Sequence, residues 1–246
     1  MRADQLLVER GLAASRSQAQ RLIAAGVRWR LGAGDWKTVA KNGDELRETV
    51  ELQLVDNAES RYVSRGGLKL EGALREAGLV VSGGRCLDVG QSTGGFTDCL
   101  LQHGAAQVTG VDVGHGQLHP ALRVDARVRC IEKCNARELT AEAVGADFDL
   151  VVGDLSFISL TLVLPALAPL LRPGGHLLML VKPQFELQPQ QIGKGGIVRD
   201  PAWYAVVERR LREACAALRL SVRGWFDSPI AGGDGNREFF VFCSKE

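Results

Sequence analysis

Four charged side chains, Lys69, Asp154, Lys182 and Glu238, each sit in a distinctive short context. The contexts are Arg65-Gly66-Gly67-Leu68-Lys69-Leu70, Gly153-Asp154-Leu155-Ser156-Phe157, Val181-Lys182-Pro183-Gln184-Phe185 and Asn236-Arg237-Glu238-Phe239-Phe240. Three of the four fall at the end or edge of an apolar run that reads as a strand. A charge at a strand end faces a cleft more readily than a core. Two ammonium groups and two carboxylates in one cleft are suited to taking a proton from a weakly acidic hydroxyl.

The elements that must position them alternate in type. Short apolar runs at 86–90, 108–112, 128–131, 148–152, 176–181, 221–226 and 238–243 read as strands, the third of them weakly. Between them, 96–103, 165–171 and the spaced residues Trp203, Val206, Val207, Leu211, Cys215 and Leu218 read as helices, the second stopping at Pro173-Gly174-Gly175. Strands separated by helices predict a parallel, doubly wound α/β sheet. Its Gly-rich turn, Asp88-Val89-Gly90-Gln91-Ser92-Thr93-Gly94-Gly95-Phe96, joins the first strand to the first helix. It lacks the G-x-G-x-x-G spacing of a dinucleotide loop. Asp112 closes the second strand, where a carboxylate accepts bonds from both hydroxyls of a ribose. Turn and acidic strand end together suit either S-adenosylmethionine or NAD.

Residues 1–55 read as a separate α+β module, 56–62 as a linker and 63–246 as the α/β domain. In the module, a helix over 4–10 ends at Gly11, and Ser15 or Ser17 caps a second helix closed by Gly26. Strands follow at 27–31 and 46–55. Residues 1–41 hold eight Arg or Lys against three Asp or Glu, although the net charge of the 246-residue chain is only +1. A local excess of this kind attracts a polyanion such as nucleic acid. Arg16, Arg21, Arg28 and Arg30 are the candidates for phosphate contacts, with Arg65 beside them at the domain border. Trp29 and Trp36 are expected to pack rather than to stack on bases.

Metal chemistry is not expected. Cys130 and Cys134 form a single C-x3-C pair with no second pair. His115 and His119 are four apart, but Gly116 and Pro120 place them in a loop. No secretory signal opens the chain. The longest apolar stretch, 160–171, is interrupted by Pro165 and Pro169 and is too short to span a bilayer. A cytoplasmic protein, with no membrane partner, is the expectation.

Taken together, Tyr62-Val63-Ser64-Arg65-Gly66-Gly67-Leu68-Lys69-Leu70, Ser92-Thr93-Gly94-Gly95-Phe96-Thr97-Asp98-Cys99-Leu100, Asp112-Val113-Gly114, Gly153-Asp154-Leu155-Ser156-Phe157-Ile158-Ser159 and Val181-Lys182-Pro183-Gln184-Phe185-Glu186 resemble the TlyA family, itself similar to the FtsJ (RrmJ-like) ribose methyltransferases. The resemblance covers essentially the whole chain. It implies a class I methyltransferase fold, Rossmann-like and doubly wound, behind an RNA-binding domain of the ribosomal protein S-four type. It implies transfer of a methyl group from S-adenosylmethionine to a cytidine 2′-hydroxyl, with ribosomal RNA or ribosomal subunits as partner. Some members carry the name haemolysin. A cofactor role is expected for Asp88, Gly90, Ser92, Thr93, Gly94, Asp112 and Asn135, with Glu132 also near the adenine. Lys182 is expected to be the base, with Lys69, Asp154 and Glu238 tuning and orienting it.

Two departures from the family pattern bear on this. Gln91 stands where a small residue is usual, and is expected to crowd the mouth of the cofactor turn. The small domain lacks a Val-x-Asn-Gly hairpin and has Val27-Arg28-Trp29-Arg30-Leu31-Gly32 instead. The run Ile192-Gly193-Lys194-Gly195-Gly196-Ile197 is expected to be a mobile loop that closes over RNA. The competing readings are a non-catalytic RNA-binding or ribosome-assembly protein, and a membrane-lytic toxin.

Overall fold

The computed structural model describes residues 1–13, 15–54, 61–232 and 235–246, with the side chains of Arg21, Ala25 and Lys194 outside the description. It contains two compact units, Met1–Arg65 and Gly66–Glu246. The expected linker at 56–62 falls mostly outside the described residues. The second unit begins where helix α3 begins, three residues later than the expected border.

In the first unit, α1 (Ala3–Glu9) and α2 (Arg16–Gly26) precede a small antiparallel sheet. Ser15 Oγ accepts the Gln18 N–H at 3.3 Å and caps α2. The sheet order is β2 (Lys37–Thr38), β1 (Val27–Arg30), β3 (Glu51–Leu54). β3 is shorter than the run 46–55 predicts, because the Leu46 N–H turns away to the Met1 carbonyl at 2.8 Å. Leu6, Leu7, Ala19, Leu22 and Val27 form a solvent-free core. Beside it, the fully buried Asp4 accepts hydrogen bonds from Arg2, Arg16 and Gln20. The Arg2 hydrogen bond leads in holding this carboxyl far below its ordinary range.

The second unit is a seven-stranded sheet in the order β6-β5-β4-β7-β8-β10-β9. In chain order these are β4 (Arg85–Val89), β5 (Gln107–Val111), β6 (Val128–Ile131), β7 (Phe148–Gly153), β8 (Leu171–Val181), β9 (Leu220–Asp227) and β10 (Phe239–Lys245). The chain runs outward from β4 to β6, then crosses back to β7, so strand order reverses between β4 and β7. β4 to β8 are parallel, but β10 is antiparallel to both β8 and β9. The all-parallel expectation fails there for a simple reason. Among the described residues no helix separates β9 from β10, and so short a connection can only reverse direction.

Around the sheet lie α3 (Gly66–Ala77), α4 (Gly95–Gln102), α5 (Pro120–Arg123), α6 (Ala141–Val144), α7 (Leu164–Leu167), α8 (Pro183–Glu186) and α9 (Ala202–Ala217). The helix expected at 165–171 is broken into α7 and a 3-10 turn over Ala168–Leu170. Pro165 and Pro169 each sit in the first turn of their segment, where a missing N–H costs nothing. β8 then starts at Leu171 rather than 176, with Gly174 at φ +71° carrying the irregular opening turn. Leu87, Val89, Val151, Leu177, Met179, Val181 and Val241 are 0–1% exposed and fix the strands against one another. That rigidity is what holds the strand ends in place.

Candidate active site

The strand order explains how four distant charges meet. Asp154 follows β7, and Lys182 follows the adjacent parallel strand β8. β10 pairs with β8 so that Phe239 lies opposite Val181, which places Glu238 at the strand end beside Lys182. Lys69 comes from α3. Its Nζ donates to Glu238 Oε2 at 2.5 Å, and both side chains are at most 10% exposed. Lys182 Nζ lies 2.6 Å from Asp154 Oδ1 and donates a directed hydrogen bond to Ser156 Oγ at 2.8 Å. Each ammonium is therefore faced by its own carboxylate. Together they form two ion pairs at the end of one three-strand ladder.

Next to Asp154 lies a cavity of about 510 Å³, within the range of small-molecule sites. Gly90, Ser92, Asp112 and Asn135 line it, together with Asp154, Ser156 and Phe157. Its position is outside the carboxyl ends of β4 and β7, where strand order reverses, as expected for a ligand in an open α/β sheet. Gly90 has φ +85°, and a Cβ there would lie 2.7 Å from the Asp154 carbonyl oxygen. Only glycine lets these two loops approach so closely. Asp112 Oδ2 accepts the Ser92 N–H at 2.8 Å and Oδ1 accepts the Gly114 N–H at 2.7 Å. Each carboxylate oxygen keeps a further lone pair for a ligand hydroxyl. Asn135 caps the turn after β6 through its Oδ1 and still reaches the cavity. Phe157, 90% exposed at φ +64°, sits at the cavity rim with its ring 5.0 Å from that of Phe185.

Three comparisons with known proteins fit this arrangement. A model of the FtsJ-like methyltransferases matches residues 62–245. The 16S/23S rRNA (cytidine-2′-O)-methyltransferase TlyA of Mycobacterium tuberculosis is 47% identical over all of this chain and 90% of its own length. The chain belongs to the TlyA family of FtsJ-like methyltransferases. A solved structure of a hemolysin candidate from Streptococcus thermophilus, 42% identical, covers all of this TlyA-family chain and 88% of its own, with a TM-score of 0.76. An S-adenosylmethionine-dependent methyltransferase from Listeria monocytogenes, 14% identical over 72% of this chain and 99% of its own, shares the fold at a TM-score of 0.53.

Several expected members of the TlyA-family site lie elsewhere. Asp88 is 1% exposed and does not line the cavity. It points under the turn, where its Oδ2 accepts the Thr97 hydroxyl at 2.7 Å. Thr93 and Gly94 do not line the cavity either. The Thr93 carbonyl accepts the His119 N–H at 3.1 Å. Gly94 has φ +99°, and a Cβ there would strike Leu118 and Leu122. These residues shape the turn from beneath. Glu132 is also outside the cavity, paired with Arg123 at 2.7 Å and accepting the Gly116 N–H.

Gln91 does not crowd the mouth. It is 3% exposed, folds over Gly110, and donates from Nε2 to Thr97 Oγ1 at 2.9 Å. A Cβ on Gly110 would lie 2.0 Å from the Gln91 side chain, so the glycine makes room for the larger residue. The glycine-rich loop is tied down in this structure. The Gly193 N–H bonds the Ile197 carbonyl at 2.9 Å, and Asn236 bonds both the Gly196 carbonyl and the Val198 N–H.

Burial pushes the Asp88 carboxyl up to about 7, against the Thr97 hydrogen bonds that favour its ionised form. Between about pH 4 and pH 7 the folded protein keeps a proton on Asp88 that the unfolded chain has released. Stability from this group is thus full below about pH 4 and is lost as pH rises through about 7. Asp88→Asn cannot titrate and is expected to flatten that decline. Urea unfolding of both proteins across this range measures it, and parallel slopes would remove Asp88 as the cause.

In the first unit, the candidate RNA contacts divide. Arg16 Nη2 lies 3.1 Å from Asp4 Oδ2. Arg30 pairs with Glu51 at 2.5 Å and stacks over Trp36. Both serve the unit's own structure. Trp29 packs against the core, as expected. Arg28 is exposed on β1, the side chain of Arg21 is outside the described residues, and Arg65 is half-buried just before α3. Ser156, Glu186 and Asn236 were not singled out by sequence. Each lay inside or beside a quoted motif, but its role depends on a partner far away in the chain.

Proposed function

We propose that this chain transfers a methyl group from S-adenosylmethionine to the 2′-hydroxyl of a cytidine in ribosomal RNA. One observation carries the reading: Asp154, which holds Lys182 in an ion pair, lines the same cavity as Gly90, Asp112 and Asn135. A methyl donor and a proton acceptor are then adjacent. S-adenosylmethionine would supply an electrophilic methyl group on a sulfonium. Asp112 would accept the ribose hydroxyls of the nucleoside, and the close approach at Gly90 would admit its amino-acid arm.

With its amine neutral, Lys182 would accept the proton of the target hydroxyl as the methyl group is transferred, and the ammonium so formed is the species that Asp154 faces at 2.6 Å. In the structure its Nζ already meets one hydroxyl, that of Ser156; the substrate hydroxyl would take that place and donate to the neutral amine. Lys69 and Glu238 are more enclosed and do not line the cavity. They brace the end of β10 beside Lys182. The relative named for cytidine 2′-O-methylation supports this substrate.

The first unit is proposed to be an S-four-type RNA-binding domain. Its exposed Arg28 meets phosphate, so Arg28→Ala is expected to weaken RNA binding uniformly across sequences and lower the salt slope by about 1. Affinities measured at several salt concentrations test this; an unchanged slope would exclude the contact. Gln91 is buried away from the cavity, so it gives no support to the competing reading of a non-catalytic protein. A toxin reading finds no helix among the described residues long and apolar enough to cross a membrane. The decisive assay incubates unmodified ribosomal subunits with labelled S-adenosylmethionine. Label is expected in the RNA fraction, and RNA without label from either subunit would overturn the proposal.

A further inference from the structure

Glu186 is 3% exposed, in a segment that follows Lys182 by a single turn. Its carboxylate crosses to the other arm of the site. Oε2 accepts the Ser159 hydroxyl at 2.5 Å and Oε1 accepts the Leu160 N–H at 2.7 Å. Ser159 and Leu160 end the loop that begins with Asp154 and Ser156, the two residues that hold Lys182. The Glu186 carbonyl accepts Arg210 Nη1 at 2.8 Å and so fastens the same turn to α9. Two arms therefore leave β7 and β8 side by side and are joined by two sets of polar contacts, with the Phe157–Phe185 ring contact between them. The near joint is Lys182 with Asp154 and Ser156, and the far joint is Glu186 with Ser159 and Leu160.

A buried carboxyl is costly unless its bonds are made. Burial pushes the Glu186 carboxyl above its ordinary range, and the two hydrogen bonds pull it back. An enclosed acid used only as a bridge is poor material for a core, so its bridging geometry demands a purpose.

We propose that Glu186 is a positioning residue that sets the reach of Lys182, acting through Ser159 and Leu160 on the loop that carries Asp154 and Ser156. The proposal rests on the methyl-transfer reading of the site. A displacement of about 1 Å at a reacting group costs up to roughly a hundredfold in rate, and without the far joint the two arms keep only the near joint and the Phe157–Phe185 ring contact. Glu186→Ala is expected to lower the single-turnover rate of methyl transfer by about 10- to 100-fold. Glu186→Gln keeps the Leu160 bond through Oε1 and can donate to Ser159 Oγ, so it is expected to restore most of that rate.

Donor-binding stoichiometry separates this from simple misfolding. A partly unfolded enzyme binds less donor but turns over at the normal rate per occupied site. A misplaced Lys182 leaves the stoichiometry whole and slows the step. Ser159→Ala, which retains the Leu160 bond, supplies a milder variant if Glu186→Ala does not fold, with an expected loss of several-fold. Acetylation by acetic anhydride, read by mass spectrometry, needs no RNA. Lys182 is expected to change in reactivity severalfold in Glu186→Ala or Ser159→Ala, with Lys69 unchanged. If wild type transfers no methyl group, the function fails while this readout still decides the joint. A wild-type rate in Ser159→Ala, Glu186→Gln as slow as Glu186→Ala, or unaltered Lys182 labelling would overturn the proposal.

Discussion

Lys182→Ala is expected to lower the rate of methyl transfer by about 10²- to 10⁴-fold, the usual contribution of a positioned proton acceptor. Donor affinity is expected to stay close to wild type, because Lys182 is not among the residues that line the cavity. The substitution leaves Asp154 at the cavity wall, 25% exposed and able to take water in place of the lost ammonium. The fold should therefore survive. Single-turnover transfer at saturating donor and RNA measures the effect, and calorimetry measures the donor. A variant that keeps more than a tenth of the wild-type rate would remove Lys182 from its role. A variant that loses the donor as well would place it in the binding site instead.

Glu238→Ala is the second large effect, and it is first an effect on stability. Lys69 and Glu238 are a buried pair with side chains 10% and 3% exposed. Removing one partner leaves the other charge desolvated, at a cost of about 3–5 kcal/mol. For a unit of this size that corresponds to a fall in melting temperature of roughly 6–20 °C. The double variant Lys69→Met, Glu238→Leu removes both charges and is expected to recover much of the lost stability, while leaving methyl transfer impaired. Thermal melting of the two variants beside wild type checks this. If Glu238→Ala melts with wild type, the pair is not the brace described above. If the double variant is no more stable than Glu238→Ala, loss of packing rather than an unpaired charge is the cause.

The charged quartet was legible in the sequence because each member has a distinctive short context and three of the four interrupt an apolar run at its edge. Which lysine meets which carboxylate was not. The pairing depends on strand order, and in particular on β10 entering antiparallel between β8 and β9, so that Glu238 arrives at the level of Lys182. Local periodicity carries no information on that insertion. The Gly-rich turn was legible as a ligand loop, but not the side of it each residue would face. Gly90 meets the cavity, whereas Asp88, Thr93 and Gly94 hold the turn from below.

Gln91 shows the same limit. Its size suggested obstruction, yet its direction is set by the space above Gly110 on the neighbouring strand. Arg16 and Arg30 were read as candidates for phosphate contacts. Their carboxylate partners, Asp4 and Glu51, are brought near by the fold of the first unit. Glu186 was hidden for a related reason: an acid in a short polar-apolar run reads as exposed until its bonds to Ser159 and Leu160 are seen.

Where the methyl group lands tests the methyl-transfer reading most directly. Ribosomal RNA labelled by this protein should be digested to nucleosides and the products resolved by mass. A methyl is expected on the ribose of a cytidine, with the adjacent phosphodiester resistant to alkali because its 2′-oxygen is no longer free. A methyl on the base, with the phosphodiester still cleaved by alkali, would contradict it.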